Sequence, residues 1–190
     1  MKIDENTLVE KNSFNKLYQI RHSLAHVLAE AVLEQFPDAK LAIGPPIEDG
    51  FYYDFELPKS LNIDDLDDLE VRMKKIIQGE YSFNKRVITT TEARQLFKDQ
   101  PYKLELLEGI SLEEEISTFS QSKFTDLCRG PHVDNTKDLQ VSAFKLTGIA
   151  GAYWKGDEKR PMLQRIYGTA WETAEQLVIH LERLKEIEKR

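Results

Sequence analysis

Residues 13–36, SFNKLYQIRHSLAHVLAEAVLEQF, predict one long α-helix against which the rest of the chain packs. Its apolar residues recur at spacings of three and four, which places them on one helix face; they are Leu17, Ile20, Leu24, Val27, Leu28 and Ala31. Pro37 ends the pattern, because proline cannot continue a helix. Within the helix, His22 and His26 are four residues apart, so both lie on one face, off the apolar stripe.

Outside this helix, the sequence predicts strands that are grouped between further helices. GFYYDFEL (50–57) and KRVITT (85–90) are typical of strands, and residues 62–79 form a second amphipathic helix. Short helices are predicted at 91–97, capped by Thr91, and at 101–107. After Glu115 come short β-like runs, and the last 20 residues return to helix, with the stripe Ala170, Ala174, Leu177, Leu181, Leu184 and Ile187. This pattern predicts an α+β fold in which a mostly antiparallel sheet packs with the long N-terminal helix and further helices.

The composition is that of a cytoplasmic globular protein without a membrane segment. Hydrophobic residues make up 41% of the chain and charged residues 31%. Every apolar run is shorter than the roughly 20 residues that cross a bilayer, and the polar start is not a secretory signal. Cys128, the only cysteine, excludes an internal disulfide and fits a reducing compartment. The net charge of −7 argues against a domain that grips nucleic acid by bulk electrostatics.

The organisation expected from the sequence is one domain over residues 13–190, preceded by a disordered or frayed leader at residues 1–12. A helical insertion is expected around residues 62–110. The charged C-terminal helix stops at Lys189-Arg190, and we expect it to continue into a longer protein.

A second stretch, DLCRGPH (126–132), places the only cysteine and a third histidine four residues apart. With the pair on the first helix, this makes a set of three histidines and one cysteine. Such a set can hold zinc or, without metal, provide acids and bases around a water molecule. A metalloprotease HExxH site is excluded, because Ser23 stands where the glutamate base should be. Catalysis by the Cys128 thiolate has a base available in His132, although Asp126 disfavours the thiolate and Arg129 favours it.

Four stretches together resemble the amino-terminal editing domain of bacterial-type threonyl-tRNA synthetases. They are RHSLAH, AIGPPIEDGFYYDFEL, DLCRGPHV and GAYWKGDEKRPMLQRIYGTAW, and the resemblance runs from about Ser13 to the end of the chain. The paired HxxxH and CxxxH motifs also fit alanyl-tRNA synthetase editing domains, but the second and fourth stretches favour the threonyl branch. The resemblance implies that the C-terminal helix leads to an aminoacylation core that this chain does not contain.

The resemblance implies a proofreading hydrolase that removes serine wrongly attached to the tRNA for threonine. A threonine pocket rejects serine poorly, since one methyl group contributes only about 1–3 kcal/mol of discrimination. The implied partners are the acceptor end of tRNA(Thr) carrying serine and the remainder of the synthetase, with Lys145, Lys155 and Arg160 as candidate phosphate contacts. The implied catalytic residues are His22, His26, Cys128, His132, Lys103 and Asp126. The implied substrate-binding residues are Tyr53 and Arg129.

The resemblance also suggests roles for these residues. Cys128, His22 and Asp126 would surround the seryl amino group and the attacking water, and Lys103 would neutralise developing negative charge. His26 and His132 would orient the water, and the general base stays open between them. Tyr53 would narrow the pocket.

No cofactor is expected for editing. If zinc is bound, its ligands would be His22, His26, Cys128 and His132. The alternatives are a non-catalytic zinc-stabilised module that binds RNA, a free-standing trans-editing factor, and an alanyl-type deacylase.

Overall fold

The computed structural model describes the backbone from Glu5 to Arg190 and the side chains from Asn15 onward. The helices are α1 (Glu5–Gln35), α2 (Ile63–Gln78), α3 (Thr90–Leu96), α4 (Pro101–Glu108) and α5 (Ala174–Glu188). The strands are β1 (Lys40–Leu41), β2 (Pro46–Ile47), β3 (Gly50–Glu56), β4 (Asn84–Ile88), β5 (Ile116–Gln121), β6 (Phe124–Leu127), β7 (Phe144–Tyr153) and β8 (Met162–Ala170). The predicted α+β class is confirmed. The leader expected at residues 1–12 begins outside the described residues, and the predicted domain division stays a prediction.

The main sheet is antiparallel throughout, with the strand order β1-β3-β8-β7 and β2 paired to β3. β3 lies at its centre, and Tyr53 stands opposite Ile166 of β8. Both residues are fully buried in the principal core. The aromatic run that predicts a strand is therefore the strand that α1 covers, since Leu24, Val27 and Leu28 of α1 lie in the same core.

Helix α2 packs against α1 and β7, and its start is fixed by its own sequence. The Asn62 side chain accepts from the Asp65 backbone N–H at 3.1 Å, and the Asp65 carboxylate accepts from the Asn62 N–H at 2.8 Å. This reciprocal pair satisfies two backbone donors that a helix start leaves open. The helix then buries Leu69 and Met73 completely.

A smaller antiparallel sheet, β4-β5-β6, carries part of the candidate site. Along β6, Phe124 and Asp126 are buried, whereas Thr125 and Leu127 are half-buried. This alternation is the period-two pattern of a strand. Because β6 contacts α1, its buried face turns Asp126 towards the helix that carries the two histidines.

Two local predictions are wrong. Helix α3 is capped by Thr89, whose hydroxyl accepts from the Glu92 N–H at 3.1 Å, and not by Thr91. Ala170 ends β8 rather than beginning the C-terminal helix, and of the residues of α5 only Leu177 is buried. Among the described helices, none has a long enough apolar stretch to cross a bilayer.

Candidate active site

The turn after β6 brings Cys128 and His132 against helix α1. The His132 ring stacks on His22 with a centroid distance of 4.2 Å and lies 4.3 Å from the ring of His26. Gly130 has φ = 80°, a conformation that favours glycine. A Cβ atom at Gly130 would also lie 2.9 Å from the Phe119 ring, which itself packs on His132. The two motifs predicted to act together are therefore joined in one cluster.

Hydrogen bonds in this cluster all donate in one direction, towards the Pro131 carbonyl oxygen that accepts from His22. His22 Nδ1 lies 3.1 Å from the Pro131 carbonyl oxygen, which can only accept, so Nδ1 carries the proton. In the neutral ring Nε2 then accepts, and the Cys128 thiol 3.4 Å away is its donor. The Cys128 Sγ in turn accepts from the Gly130 N–H at 3.2 Å.

Ser23 completes the chain on the other side of Cys128. His132 Nε2 lies 3.2 Å from Cys128 Sγ and donates to it, so His132 Nδ1 accepts from the Ser23 hydroxyl at 3.0 Å. The Ser23 oxygen accepts from the Val133 N–H at 3.1 Å. This is the arrangement of protons that gives every one of these atoms a partner. From the sequence, Ser23 served only to exclude a metalloprotease, and its role in the cluster was not predicted. The one sequence feature that indicates this role is its position between His22 and His26 on the same helix.

Burial keeps this cluster uncharged. Removal from water lowers the pKa of His22, and it lowers the pKa of His132 far below its ordinary value, with His26 and His22 adding to the effect. The same loss of solvation raises the pKa of Cys128 to about 12. At neutral pH the imidazoles are therefore neutral and the sulfur is a thiol, which disfavours attack by a Cys128 thiolate.

A charged layer lies on the inner side of the histidines. Lys103 of α4 pairs with Asp126 of β6 at 2.7 Å, and Tyr53 of β3 donates to the other Asp126 oxygen at 2.7 Å. The Lys103 ammonium also donates to the Tyr53 hydroxyl at 2.9 Å. Each of the three residues is at most 3% exposed, and burial raises the pKa of Tyr53 well above its ordinary value. The structure thus brings together three residues that lie far apart in sequence.

His26 connects the two layers. Its Nε2 lies 3.5 Å from Asp126 Oδ2, and its buried Nδ1 has no hydrogen-bond partner. Burial lowers its pKa well below the ordinary value, and His22 and Lys103 act in the same direction. With Nε2 donating to the carboxylate, Nδ1 holds a free lone pair.

The donor set fits a metal ion as well as a metal-free site. One ligand atom from each of His22, His26, Cys128 and His132 lies within 4.8 Å of the others. Tetrahedral zinc would place nitrogen and sulfur ligands about 3.5 Å apart, and the two Nε2 atoms lie 3.4 and 3.2 Å from Cys128 Sγ. The donation from His22 Nδ1 to the Pro131 carbonyl is of the kind that orients a metal-bound histidine. With metal on Nε2 of His132, the Ser23 hydrogen bond would reverse, because His132 Nδ1 would then carry the proton and donate.

Access to the cluster is restricted. His22 and Cys128 are half-buried, whereas His26, His132 and the charged layer are buried. Cys128 lines a cavity of about 240 Å³ together with Leu106, Ile110 and Arg129. Arg129 is not in the cluster itself; it lies at the rim of this cavity and pairs with Glu114 at 2.7 Å.

The candidate phosphate contacts already have acidic partners. Lys155 lies 3.2 Å from Glu105, and Arg160 donates to the same carboxylate. Lys145 lies 3.8 Å from Glu70. A phosphate would therefore compete with a carboxylate for each of these cations.

Comparisons with known proteins agree with this architecture. Residues 116–167 match the family described as the threonyl and alanyl tRNA synthetase second additional domain. The chain is 53% identical over 174 residues to a threonine–tRNA ligase of Borreliella burgdorferi (strain ZS7) and 54% identical over 174 residues to that of Borrelia hermsii. Each match covers 92% of this chain. Most of the chain is thus similar to one part of a threonine–tRNA ligase.

The matched family segment contains only part of the candidate site. The family segment contains Asp126, Cys128, Arg129 and His132. The two α1 histidines lie outside this segment, within the longer alignment with the threonine–tRNA ligase. The chain spans about 30% of the length of these threonine–tRNA ligases.

Proposed function

We propose that this chain is an editing domain that hydrolyses the ester joining serine to the tRNA for threonine, with water as the nucleophile. The observation that carries the proposal is the neutral histidine–cysteine cluster that opens to solvent above a buried Asp126–Lys103 pair. A neutral acid–base cluster beside a fixed positive charge suits water attack on an ester, since negative charge develops on the carbonyl oxygen. The proposed partner is the acceptor end of tRNA(Thr), and the proposed compartment is the cytoplasm.

In the proposed mechanism, the substrate ester enters at His22 and Cys128, the half-buried edge of the cluster. The Cys128 thiol and the His22 ring contact the seryl group and the attacking water, with Asp126 behind them. His26 accepts the proton of the water through Nδ1, because both ring nitrogens of His132 already have hydrogen-bond partners. Lys103 stabilises the developing negative charge from the inner layer, and Tyr53 limits the depth of the pocket.

Arg129 has a proposed role in substrate binding at the rim. Its guanidinium lies on Glu114 beside the cavity that Cys128 lines. Exchange of Glu114 for an RNA phosphate would keep the guanidinium paired while the acceptor end enters. Arginine suits this exchange, because its planar fork matches both carboxylate and phosphate.

The proposed hydrolysis runs without a metal. The thiol proton of Cys128 and the two histidine Nε2 atoms already satisfy one another, so the cluster is complete as an acid–base network. If zinc were bound, His22, His26, Cys128 and His132 would hold it, and the added chemistry would be that of a Lewis acid that activates water.

A second candidate is a non-catalytic module that zinc stabilises. The close approach of four potential ligands favours it, since structural zinc sites use this donor chemistry. This candidate requires stoichiometric zinc, loss of folding with a chelator and no hydrolysis.

The deciding experiment follows the release of serine and threonine from charged tRNA(Thr), with and without a chelator. The proposal expects serine release that survives chelation, negligible threonine release, and loss of activity in the His22→Ala/His26→Ala variant. Release of threonine at the same rate as serine would contradict the proofreading function. Faster hydrolysis of serine on the tRNA for alanine would favour the alanyl-type alternative.

If the isolated domain releases nothing, fusion to the remainder of a threonyl-tRNA synthetase tests whether the missing parts supply the tRNA affinity. This fusion also separates a domain within a synthetase from a free-standing factor.

A further inference from the structure

The tip of the β5–β6 hairpin lies against helix α1, next to His26. Gln121 ends β5 and Phe124 begins β6, and these two residues stand opposite each other in the strand register. Both side chains are buried, with exposed fractions of 1% and 3%. The proposed chemistry of the cluster uses neither of them, so the buried amide of Gln121 calls for a separate explanation.

The Gln121 side chain reaches from the hairpin to the backbone of α1. Its Nε2 donates to the His26 carbonyl at 3.2 Å and lies 3.5 Å from Glu30 Oε1. A carbonyl and a carboxylate both accept hydrogen bonds, so the NH2 group of the amide must face α1. The Gln121 Oε1 atom is buried and has no hydrogen-bond partner among the described side chains and backbone, a cost that an apolar side chain would avoid. The amide is therefore better explained by what it holds than by the stability of the fold.

Three groups of the same hairpin surround His26. Gln121 binds its carbonyl oxygen, and the Phe124 ring lies edge-on to its imidazole at a centroid distance of 5.7 Å. The Asp126 carboxylate lies 3.5 Å from its Nε2. Phe124 and Asp126 are two residues apart on one face of β6, so a single strand face supplies both contacts to the ring. The hairpin thus holds both the backbone and the side chain of His26.

The contact between His26 Nε2 and Asp126 is the one most sensitive to movement of the hairpin. At 3.5 Å it is longer than the usual N–H to oxygen distance of about 2.9–3.0 Å. A small shift of the hairpin away from α1 would therefore end the interaction and leave the neutral ring free to exchange its tautomers. The hydrogen bond from Gln121 opposes this shift, because it joins the end of β5 to α1 at the same residue.

We propose that Gln121 is a positioning residue for the hydrolysis. Through the His26 carbonyl it keeps the imidazole against Asp126, so that the proton stays on Nε2 and the Nδ1 lone pair is directed to the attacking water. Gln121 itself does not touch the substrate. The inference rests on the proposed function for the reaction, whereas the state of the His26 ring can be measured without any hydrolysis.

The structural test follows the His26 ring in long-range ¹H–¹⁵N spectra of the wild type and of Gln121→Met. Methionine has a similar length and suits a buried site, but it has no N–H donor. We expect one tautomer, with the proton on Nε2, in the wild type and a mixture of tautomers in Gln121→Met. A single unchanged tautomer in Gln121→Met, or a wild-type proton on Nδ1, would overturn the proposal.

Two further variants separate the lost donor from a general disturbance of the hairpin. Gln121→Lys retains a donor that can reach the His26 carbonyl and pair with Glu30, and it should keep the single tautomer. Ser120→Ala is the matched control, because it removes the Ser120–Thr125 hydrogen bond of 2.8 Å from the same hairpin, on the opposite strand face. It should leave the His26 spectrum unchanged. A mixture of tautomers in Gln121→Lys or in Ser120→Ala would contradict the assigned role, even if Gln121→Met does not fold.

The activity test measures kcat and KM for release of serine from Ser-tRNA(Thr). We expect Gln121→Met to lower kcat about tenfold with KM unchanged, because the base is misplaced while the RNA still binds. Gln121→Lys should recover most of the loss, and Ser120→Ala should leave both constants unchanged. A rise in KM alone, or an equal loss of kcat in Ser120→Ala, would refute the positioning role. A wild-type chain without hydrolysis would instead refute the proposed function, and the His26 spectra would still decide whether Gln121 fixes the ring.

Discussion

Helix α4 contributes to two ion-pair groups in opposite surroundings. Lys103 meets Asp126 inside the domain, where the two side chains are 3% and 4% exposed. Two residues further on, Glu105 meets Lys155 and Arg160 at the surface, where the three side chains are 28%, 54% and 43% exposed. Water screens the charges of the second group and not those of the first, so we expect the loss of one partner to cost much more stability in the buried group than at the surface. The buried pair belongs to the candidate site, and the surface group links the turn at Trp154 to helix α4.

The largest expected effect is that of Lys103→Met. It leaves the Asp126 carboxylate buried without its cation, and we expect a loss of about 3–5 kcal/mol in the free energy of unfolding. Serine release should fall by at least about 100-fold, because a fixed positive charge is lost. Urea denaturation and single-turnover deacylation measure the two effects.

The control for Lys103→Met is the double variant Lys103→Met/Asp126→Leu, which removes both buried charges. We expect it to regain most of the stability but none of the activity. A double variant that releases serine at the wild-type rate would show that the ion pair serves folding alone.

An intermediate effect is expected from Ser23→Ala, in the neutral histidine–cysteine cluster. The change leaves His132 Nδ1 and the Val133 N–H without their partner, and we expect a loss of about 1–3 kcal/mol in stability. The ¹⁵N shifts of the His132 ring should then show a mixture of tautomers in place of one. Ser23→Thr keeps the hydroxyl and should restore the single tautomer if its methyl group is accommodated. An unchanged ¹⁵N spectrum in Ser23→Ala would contradict the directed chain of hydrogen bonds.

A third carboxylate, Glu30, is buried, and among the residues whose side chains are described no cation pairs with it as Lys103 pairs with Asp126. It is 4% exposed, and its carboxylate accepts from the neutral Gln121 amide at 3.5 Å and from the Ser122 hydroxyl. Loss of solvation raises its pKa to about 7. Between the unfolded pKa of about 4.5 and this value the folded state holds the extra proton, so stability falls as pH rises through this window.

Glu30→Gln removes this pH dependence. We expect the variant to be more stable than the wild type at pH 8, by about 1–3 kcal/mol for this shift in pKa, and nearly equal at pH 5. Thermal unfolding at the two pH values measures the difference. Glu34→Gln, one turn along α1 at a 42% exposed side chain, is the matched control. The same pH-dependent gain in both variants would rule out the effect of burial.

Local sequence signals predicted the parts of the fold that depend on local periodicity. The i, i+4 spacing of His22 and His26 is enough to place both on one face of α1, and aromatic content is enough to identify β3. Thr89 is three residues before Glu92, which is the spacing of a helix cap, so the sequence itself contains the signal for a cap at Thr89 rather than Thr91. The predicted apolar stripe of α5 is mostly not buried, for a different reason. Periodicity shows which residues share a helix face, but it does not show whether another element covers that face.

The inner layer of the site was not predictable from local patterns. Lys103, Asp126 and Tyr53 meet because α4, β6 and β3 converge, and no spacing along the chain encodes that convergence. The family resemblance alone indicated these residues. The role of Ser23 was not predictable either, because its partners His132 and Val133 lie in the turn after β6, which the sequence around Ser23 does not indicate.

The smallest expected effect belongs to Glu105→Gln, at the surface end of the comparison. The hydrogen bond from Trp154, followed by that from Arg160, lowers the pKa of Glu105 to about 2, so any stabilisation from its charge is present above the unfolded pKa and is lost as pH falls through about 2. Because the Glu105 side chain is partly exposed and water screens its charge, we expect only a slight change in thermal midpoint at neutral pH, which shrinks further at high salt. The amide oxygen still accepts from the Trp154 indole, but the NH2 group then faces the Arg160 guanidinium, so the variant removes the charge and the hydrogen bond from Arg160 together. A destabilisation as large as that of Lys103→Met would mean that exposure does not separate the two ion-pair groups, and the Trp154 turn would then have to be counted among the supports of the site.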